Sequence, residues 1–169
     1  MTLRQQLDSC LHGRVCFVGL GNRDFADDGV GVCLAEALAH AGVPDVHVCA
    51  TSPESCVGQI AAAGFEHVVF LDALEVGAQP GSAILLRSAE IIARYPQVST
   101  HKLSVGTLAR IVEANGTTKA WLLGVQPESL EPTGQLSPAV RLSIELLTDL
   151  LLSLRTPELA MAPIESPSC

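Results

Sequence analysis

The sequence predicts an α/β fold: a single-domain three-layer αβα sandwich with a mostly parallel, roughly five-stranded sheet. Short apolar runs alternate along the chain with segments of helical periodicity. The runs are continuously apolar, which is typical of strands buried on both faces of a sheet. The chain has 169 residues, the size of one domain. We expect this domain over residues 1–155, followed by a flexible, proline-containing tail over 156–169.

Five segments are the expected strands. The longest apolar runs lie at 14–20, 67–73 and 119–125, and shorter extended candidates lie at 46–50 and 82–87. Each run is short enough for a strand and is bounded by glycine or by polar residues. These segments supply the roughly five strands of the expected sheet.

Helical periodicity appears between and after these strands. Apolar residues recur at spacings of three and four over 30–41, where Gly42 provides a stop signal, and again over 108–112. The clearest helix is expected over 138–154, with Ser137 as its N-cap. Strands that alternate with helices in this way favour a parallel sheet.

The charge balance excludes several classes of partner. Lys and Arg number 10 against 18 Asp and Glu, a formal net charge of −8. Such a chain is poorly suited to a phosphate backbone or an anionic membrane surface. The first residues lack the basic and apolar regions of a signal peptide, and no apolar run could cross a bilayer. We therefore expect a soluble, cytoplasmic chain without nucleic-acid or membrane partners. We also expect a monomer, although nothing in the composition bears on the oligomeric state.

The cysteines do not show a metal-binding pattern. No C-x-x-C pair occurs among the six, which stand at positions 10, 16, 33, 49, 56 and 169. In a cytosolic chain such cysteines are expected to be reduced, small buried hydrophobes rather than zinc ligands. Cys169, in the tail, is expected to be an exposed thiol.

Two adjacent acids, Asp27 and Asp28, follow the first expected strand within the glycine-rich stretch 19–31. The dinucleotide-binding fingerprint fails there, because Asp24 occupies the place of the third glycine and the acid pair would repel a pyrophosphate. Two interpretations stay open: capping of the following helix, or a binding role. Capping needs only one acid, and neighbouring carboxylates repel each other.

Two further polar residues stand near expected strand ends or helix starts. Asp72 follows four apolar strand residues, where an acid is costly to bury unless it is paired, and His101 precedes a helical stretch. A turn role for Asp72 and a surface or capping role for His101 are the structural alternatives. Because ligands of open α/β sheets bind at the carboxyl ends of strands, an acid of the Asp27–Asp28 pair, Asp72 and His101 could together hold a divalent metal. Their donor types suit Zn, Ni, Mn or Fe about equally.

Five motifs follow one another along the chain: GLGNRDFADDGVG at 19–31, LDALEVGAQPG at 71–81, STH at 99–101, GVQPE at 124–128 and LSP at 136–138. In this order they resemble the motifs of the hydrogenase maturation endopeptidases, nickel-dependent processing proteases for the large subunits of [NiFe]-hydrogenases. The resemblance spans about residues 14–154. The chain departs from the family at 48–54, where an Asp-Gly-Gly turn implicated in substrate recognition is missing.

The resemblance implies a function and a set of site residues. It identifies Asp28, Asp72 and His101 as the catalytic and metal-contacting positions and does not make Asp27 a ligand, so we expect Asp27 to cap the helix. It implies an aspartic-type or metal-dependent endopeptidase that removes a C-terminal extension from a nickel-loaded hydrogenase large-subunit precursor. Nickel then comes with the precursor and is not held tightly by the free enzyme. The alternative is a non-proteolytic, nickel-binding or chaperone-like member of the same fold family.

Overall fold

The fold is seen in a computed structural model that describes residues 1–94 and 103–160, with side chains through Arg155. Within these ranges it contains five strands and six α-helices. Their bounds are α1 Leu3–Cys10, β1 Val15–Leu20, α2 Val30–His40, β2 Val46–Ala50, α3 Glu54–Ala62, β3 His67–Ala73, β4 Ala83–Arg87, α4 Ser88–Arg94, α5 Val105–Glu113, β5 Lys119–Val125 and α6 Pro138–Ala160. A 3₁₀ turn, Ala26–Gly29, precedes α2.

The strands form one sheet in the order β2-β1-β3-β5-β4. All neighbouring pairs are parallel except β4 and β5, which run antiparallel. The prediction of a mostly parallel five-stranded sheet is confirmed. All six residues of β1 are buried, as are the first six of β3, as expected for strands covered on both faces.

Two apolar cores lie on opposite faces of the sheet. Val15 and Phe17 of β1 point into the core that α1, α2 and α6 cover. Cys16 and Val18 point into the other core, against α3, α4 and α5. The alternation of side chains along a strand thus divides β1 between the two cores. This arrangement is the predicted three-layer sandwich.

Close packing of α2 against the sheet depends on Gly31. A Cβ at this position would overlap the carbonyl oxygens of Leu20 and Leu71. Only glycine lets the first turn of α2 approach the ends of β1 and β3 so closely. This contact fixes the preceding 3₁₀ turn beside the carboxyl edge of the sheet, by which we mean the carboxyl ends of β1, β3 and β5.

The helices differ from expectation more than the strands do. Helix α6 continues to Ala160, so residues 156–160, assigned to the tail, are helical, and 161–169 lie outside the described residues. Helices α1, α3 and α4 were not predicted. For α1 a signal exists: Thr2 and Gln5 form a capping box. No helix in the described part of the chain is long and apolar enough to cross a membrane.

The prediction that the cysteines are reduced is wrong for one pair. Cys49, in β2, and Cys56, in α3, form a disulfide with their Cα atoms 6.3 Å apart. The β2–α3 turn brings together two cysteines whose spacing of seven resembles no metal motif. Cys10 and Cys16 are free and buried, and burial raises the pKa of their thiols to about 11 and about 12. These two fit the expected role of buried hydrophobes.

Candidate active site

The loop after β1 has an unusual backbone that brings two acids to the carboxyl edge. Gly21 has φ 118° and Ala26 has φ 43°, both in the region that favours glycine. The Asp28 N–H donates to the carbonyl of Phe25 (2.9 Å), and the Asp27 N–H donates to the carbonyl of Ser129 (3.1 Å). The strained conformation of Ala26 is therefore held by hydrogen bonds on both sides.

Asp28 lies nearly buried within this loop. Its side chain is 4% exposed in the folded chain, and its Oδ2 accepts the backbone N–H of Asn22 at 2.9 Å. Neither the 3₁₀ turn nor α2 has a side-chain cap. The Asp28 side chain therefore accepts a hydrogen bond from the loop that follows β1 and does not cap a helix.

Asp72 comes to the same place from the neighbouring strand. It is the sixth residue of β3, is 6% exposed, and its Oδ1 accepts the N–H of Ala73 at 2.9 Å. A Cβ built on Gly21 would stand 3.7 Å from this Oδ1 and would overlap the carbonyl oxygen of Asp28. Asp28 and Asp72 therefore flank Gly21 and Asn22, and the absence of a side chain at Gly21 allows the close approach of the Asp28 backbone.

His101, the third predicted site residue, lies outside the described residues, and its role stays a prediction. Within residues 1–94 and 103–160, no three His, Cys, Asp or Glu side chains form a group that could hold a metal ion.

The assignment of Asp27 to helix capping is wrong. Its side chain is fully buried, and Oδ2 accepts the N–H groups of Glu128 (2.8 Å) and Ser129 (3.2 Å). Oδ1 accepts the N–H of Ser137 at 2.7 Å. The partners lie 101 to 110 residues away, so local sequence could not reveal them. Asp27 holds the segment between β5 and α6 against the loop that follows β1.

Gln126 makes a second tether that the sequence analysis did not assign. Its Oε1 accepts the N–H groups of Val76 (2.8 Å) and Ala78 (3.3 Å), and its Nε2 donates to the carbonyl of Pro127 (3.1 Å). The side chain is 9% exposed. It fixes the loop that follows Asp72, and the position of Gln126 one residue after a buried strand is the only local signal of this role.

A small cavity of about 230 Å³ opens over Asp28. Besides Asp28 it is lined by Asn22, Phe25, Thr51 and Leu130. Phe25 is 44% exposed, an unusual position for a large aromatic ring. Thr51 belongs to the turn that the Cys49–Cys56 disulfide closes, which lies in the segment that departs from the family motif. The cavity thus combines a carboxylate with an apolar rim.

Comparisons with known proteins all point to the same protein family. The family profile described as hydrogenase maturation protease (HycI) matches residues 34–154. The chain is 31% identical over 162 residues to the hydrogenase 2 maturation protease of Escherichia coli (strain K12), which covers 90% of this chain and 98% of that protein.

Solved structures give the same result. The [NiFe] hydrogenase maturation protease HycI from Thermococcus kodakarensis KOD1 superimposes with a TM-score of 0.79 at 30% identity, covering 89% of this chain and 99% of that one. The hydrogenase maturating endopeptidase HybD from E. coli has a TM-score of 0.70 at 28% identity, covering 86% and 94%. The chain therefore belongs to the hydrogenase maturation protease family.

Proposed function

We propose that this chain is a cytoplasmic, monomeric endopeptidase that removes a C-terminal extension from the precursor of a [NiFe]-hydrogenase large subunit after nickel insertion. Asp28, Asp72 and His101 contact the nickel that the precursor carries. The observation that carries the proposal is that two nearly buried carboxylates flank Gly21 and Asn22 at the carboxyl edge. In open α/β sheets this edge is where ligands bind.

The two carboxylates are oriented by backbone donors. The bond from Asn22 fixes one oxygen of Asp28, and the bond from Ala73 fixes one oxygen of Asp72. Two carboxylates at one edge of the sheet attract a divalent cation, and carboxylate oxygens are ligands that such ions accept. The site would therefore favour a precursor that brings a cation and disfavour one that does not. This preference would act as a checkpoint before an irreversible cleavage.

Nickel in the precursor can act as a Lewis acid on a nearby carbonyl or lower the pKa of a bound water. The chain's own residues bind and orient. Asp28 and Asp72 fix the position of the precursor's metal-bearing segment, and His101 would add an imidazole donor. Rigid positioning of this kind accounts for much of enzymatic rate enhancement.

The small volume and the lining of the cavity support a polypeptide substrate. At about 230 Å³ it is smaller than the ~300–1,000 Å³ typical of small-molecule sites. The exposed side chain of Phe25 lines it, as does Leu130. A short stretch of a protein surface fits such a recess, with apolar contacts at the rim and the metal contact inside.

The proposal is tested by incubating the enzyme with nickel-loaded precursor and following its mass. We expect wild type to shorten the precursor, and Asp28→Asn, Asp72→Asn and His101→Ala to lower the rate at least about 100-fold, as for loss of a group that acts in the transition state. Asp24→Asn is the matched control, because Asp24 is an exposed acid of the same loop. It should retain the wild-type rate.

Two results would contradict the proposal. If wild type leaves the loaded precursor intact but still binds it, the non-proteolytic alternative is correct. If the three variants cleave at the wild-type rate, these residues are not the site.

A further inference from the structure

A second cavity lies beside the candidate active site, behind the same loop. It measures about 430 Å³ and is lined by Arg23, Ala26 and Cys33 on one side and by Leu136 and Arg141 on the other. The loop after β1 separates the two cavities: Asn22 and Asp28 line the small one, while Arg23 and Ala26 line the large one. Because the two cavities lie on either side of one short loop, a polypeptide bound over Asp28 could extend across the loop into the larger cavity.

The charge of this cavity is opposite to that of the chain. The net charge is −8, yet the charged side chains that line the cavity are Arg23 and Arg141. Arg23 forms an ion pair with Glu36, whose side chain is 52% exposed. Arg141 lies in the first turn of α6, where the helix dipole adds positive potential. Guanidinium groups bind carboxylates through paired, directional hydrogen bonds.

The walls of the cavity are fixed by the backbone. The N–H of Gly134 donates to the carbonyl of Asp24 at 3.2 Å, which joins the two sides. Asp27 holds the start of α6 through the N–H of Ser137. Arg23 and Arg141 thus project from segments that are tied together, which lowers the entropic cost of binding a ligand between them.

We propose that the cavity between Arg23 and Arg141 is an anion subsite that receives a carboxylate-bearing stretch of the precursor polypeptide. The inference rests on the proposed function, because it extends the substrate contact from Asp28 into the neighbouring cavity. The carboxylate comes either from an acidic side chain of the precursor or from its C-terminus. The subsite acts in docking and not in the chemical step.

Kinetics of cleavage by the full chain test the subsite. Arg141→Gln should raise KM for nickel-loaded precursor about tenfold and leave kcat within about twofold, because a binding contact is lost. Arg23→Gln should have a smaller effect, since Glu36 already shares its charge. Glu36→Gln should lower KM, because it releases Arg23. Arg110→Gln, an exposed arginine of α5, is the matched control and should change nothing.

A second experiment needs no cleavage. Cys33 is a free, half-buried thiol on the cavity wall, so a bound ligand should slow its alkylation. The probes are short peptides with blocked ends that contain either glutamate or glutamine, and the glutamine peptide with a free C-terminal carboxylate. Modification of Cys33 is read by peptide mass mapping. We expect protection by a carboxylate-bearing probe and loss of that protection in Arg141→Gln.

The outcomes separate the subsite from the proposed function. Protection by the glutamate peptide identifies a side-chain carboxylate, and protection only by the free-ended peptide identifies a C-terminus. The subsite is wrong if neither probe protects Cys33 better than the blocked glutamine peptide, or if Arg141→Gln and Arg110→Gln give the same KM. If wild type fails to cleave, the proposed function is wrong, and the alkylation result still decides on the subsite.

Discussion

Polar side chains are buried at both edges of the sheet. At the amino edge they hold the fold together, whereas at the carboxyl edge two of them belong to the candidate active site. At the amino edge, formed by the starts of β1, β3 and β5, His67 Nδ1 accepts the Nε1–H of Trp121 at 3.0 Å, and His12 packs edge-on against His67 at 4.8 Å between ring centroids. Arg155 donates to the carbonyls of Leu11 and Gly13. These contacts join α6 and the segment after α1 to the sheet.

Three acids lie at the carboxyl edge. Asp27 has a structural role like that of the amino-edge residues, and Asp28 and Asp72 do not. Asp27 is fully buried and accepts three backbone N–H groups. Asp28 lines an open cavity, and Asp72 lies across Gly21 from it. Cavity size does not distinguish the edges, since the amino edge also has a cavity of about 400 Å³. Strand direction does, because ligands of such sheets bind at the carboxyl ends.

The largest expected effect on stability is at Asp27, within the carboxyl edge. Asp27→Ala should lower the free energy of unfolding by about 3–5 kcal/mol, because three backbone N–H groups lose a buried, charged acceptor. Urea denaturation measures this loss, and Asp24→Ala should stay within about 0.5 kcal/mol of wild type. A loss below about 1 kcal/mol for Asp27→Ala would show that the tether between the two loops matters little.

A smaller effect is expected at the amino edge. Trp121→Phe should lower the free energy of unfolding by about 1–3 kcal/mol, because His67 Nδ1 loses its donor. The same variant should keep kcat/KM for nickel-loaded precursor within about twofold of wild type. A large loss of cleavage in a folded Trp121→Phe protein would break the distinction between the two edges.

The smallest effect is a pH dependence at the amino edge. Burial lowers the pKa of His67, and electrostatic interactions with His12, Lys119 and Arg155 lower it further, against an opposing effect of Glu66. On acidification the unfolded chain therefore takes up this proton first, and the free energy of unfolding falls as pH drops below about 6.5. Above about pH 6.5 His67 is neutral in both the folded and the unfolded chain, so it no longer lowers the free energy of unfolding.

Thermal unfolding between about pH 5 and 7 measures this dependence, in a range where most carboxylates stay ionised. His67→Gln should flatten the profile, since glutamine does not titrate. The matched control is His40→Gln, at the exposed end of α2, which should keep the wild-type slope. An unchanged slope in His67→Gln would assign the dependence to other groups.

The sequence predicted the strands well because their signal is local. Each expected strand agrees with the structure to within one residue, for example 82–87 against Ala83–Arg87. Continuous apolar runs between breakers identify fully buried strands without reference to the rest of the chain. The positions of Asp28 and Asp72 at the carboxyl edge follow from the strand ends and from strand direction.

The parts that were missed depend on distant or weak signals. Helix α3 has little amphipathic pattern and only two buried residues, Val57 and Ile60, so periodicity could not find it. The role of Asp27 depends on partners more than 100 residues away. The Cys49–Cys56 bridge depends on a turn that the spacing of the cysteines does not suggest. In each case the observed structure is determined by tertiary packing and not by local sequence propensity.

The central claim is that Asp28 and Asp72 recognise the nickel of the precursor, and binding measures this most directly. The affinity of the enzyme is compared for nickel-loaded and nickel-free precursor, before product accumulates, with wild type, Asp28→Asn/Asp72→Asn and Asp24→Asn. We predict that wild type and Asp24→Asn bind the loaded precursor at least about tenfold more tightly, a difference of about 1.4 kcal/mol, and that the double variant loses this preference. A double variant that folds and still prefers the loaded precursor would contradict the claim.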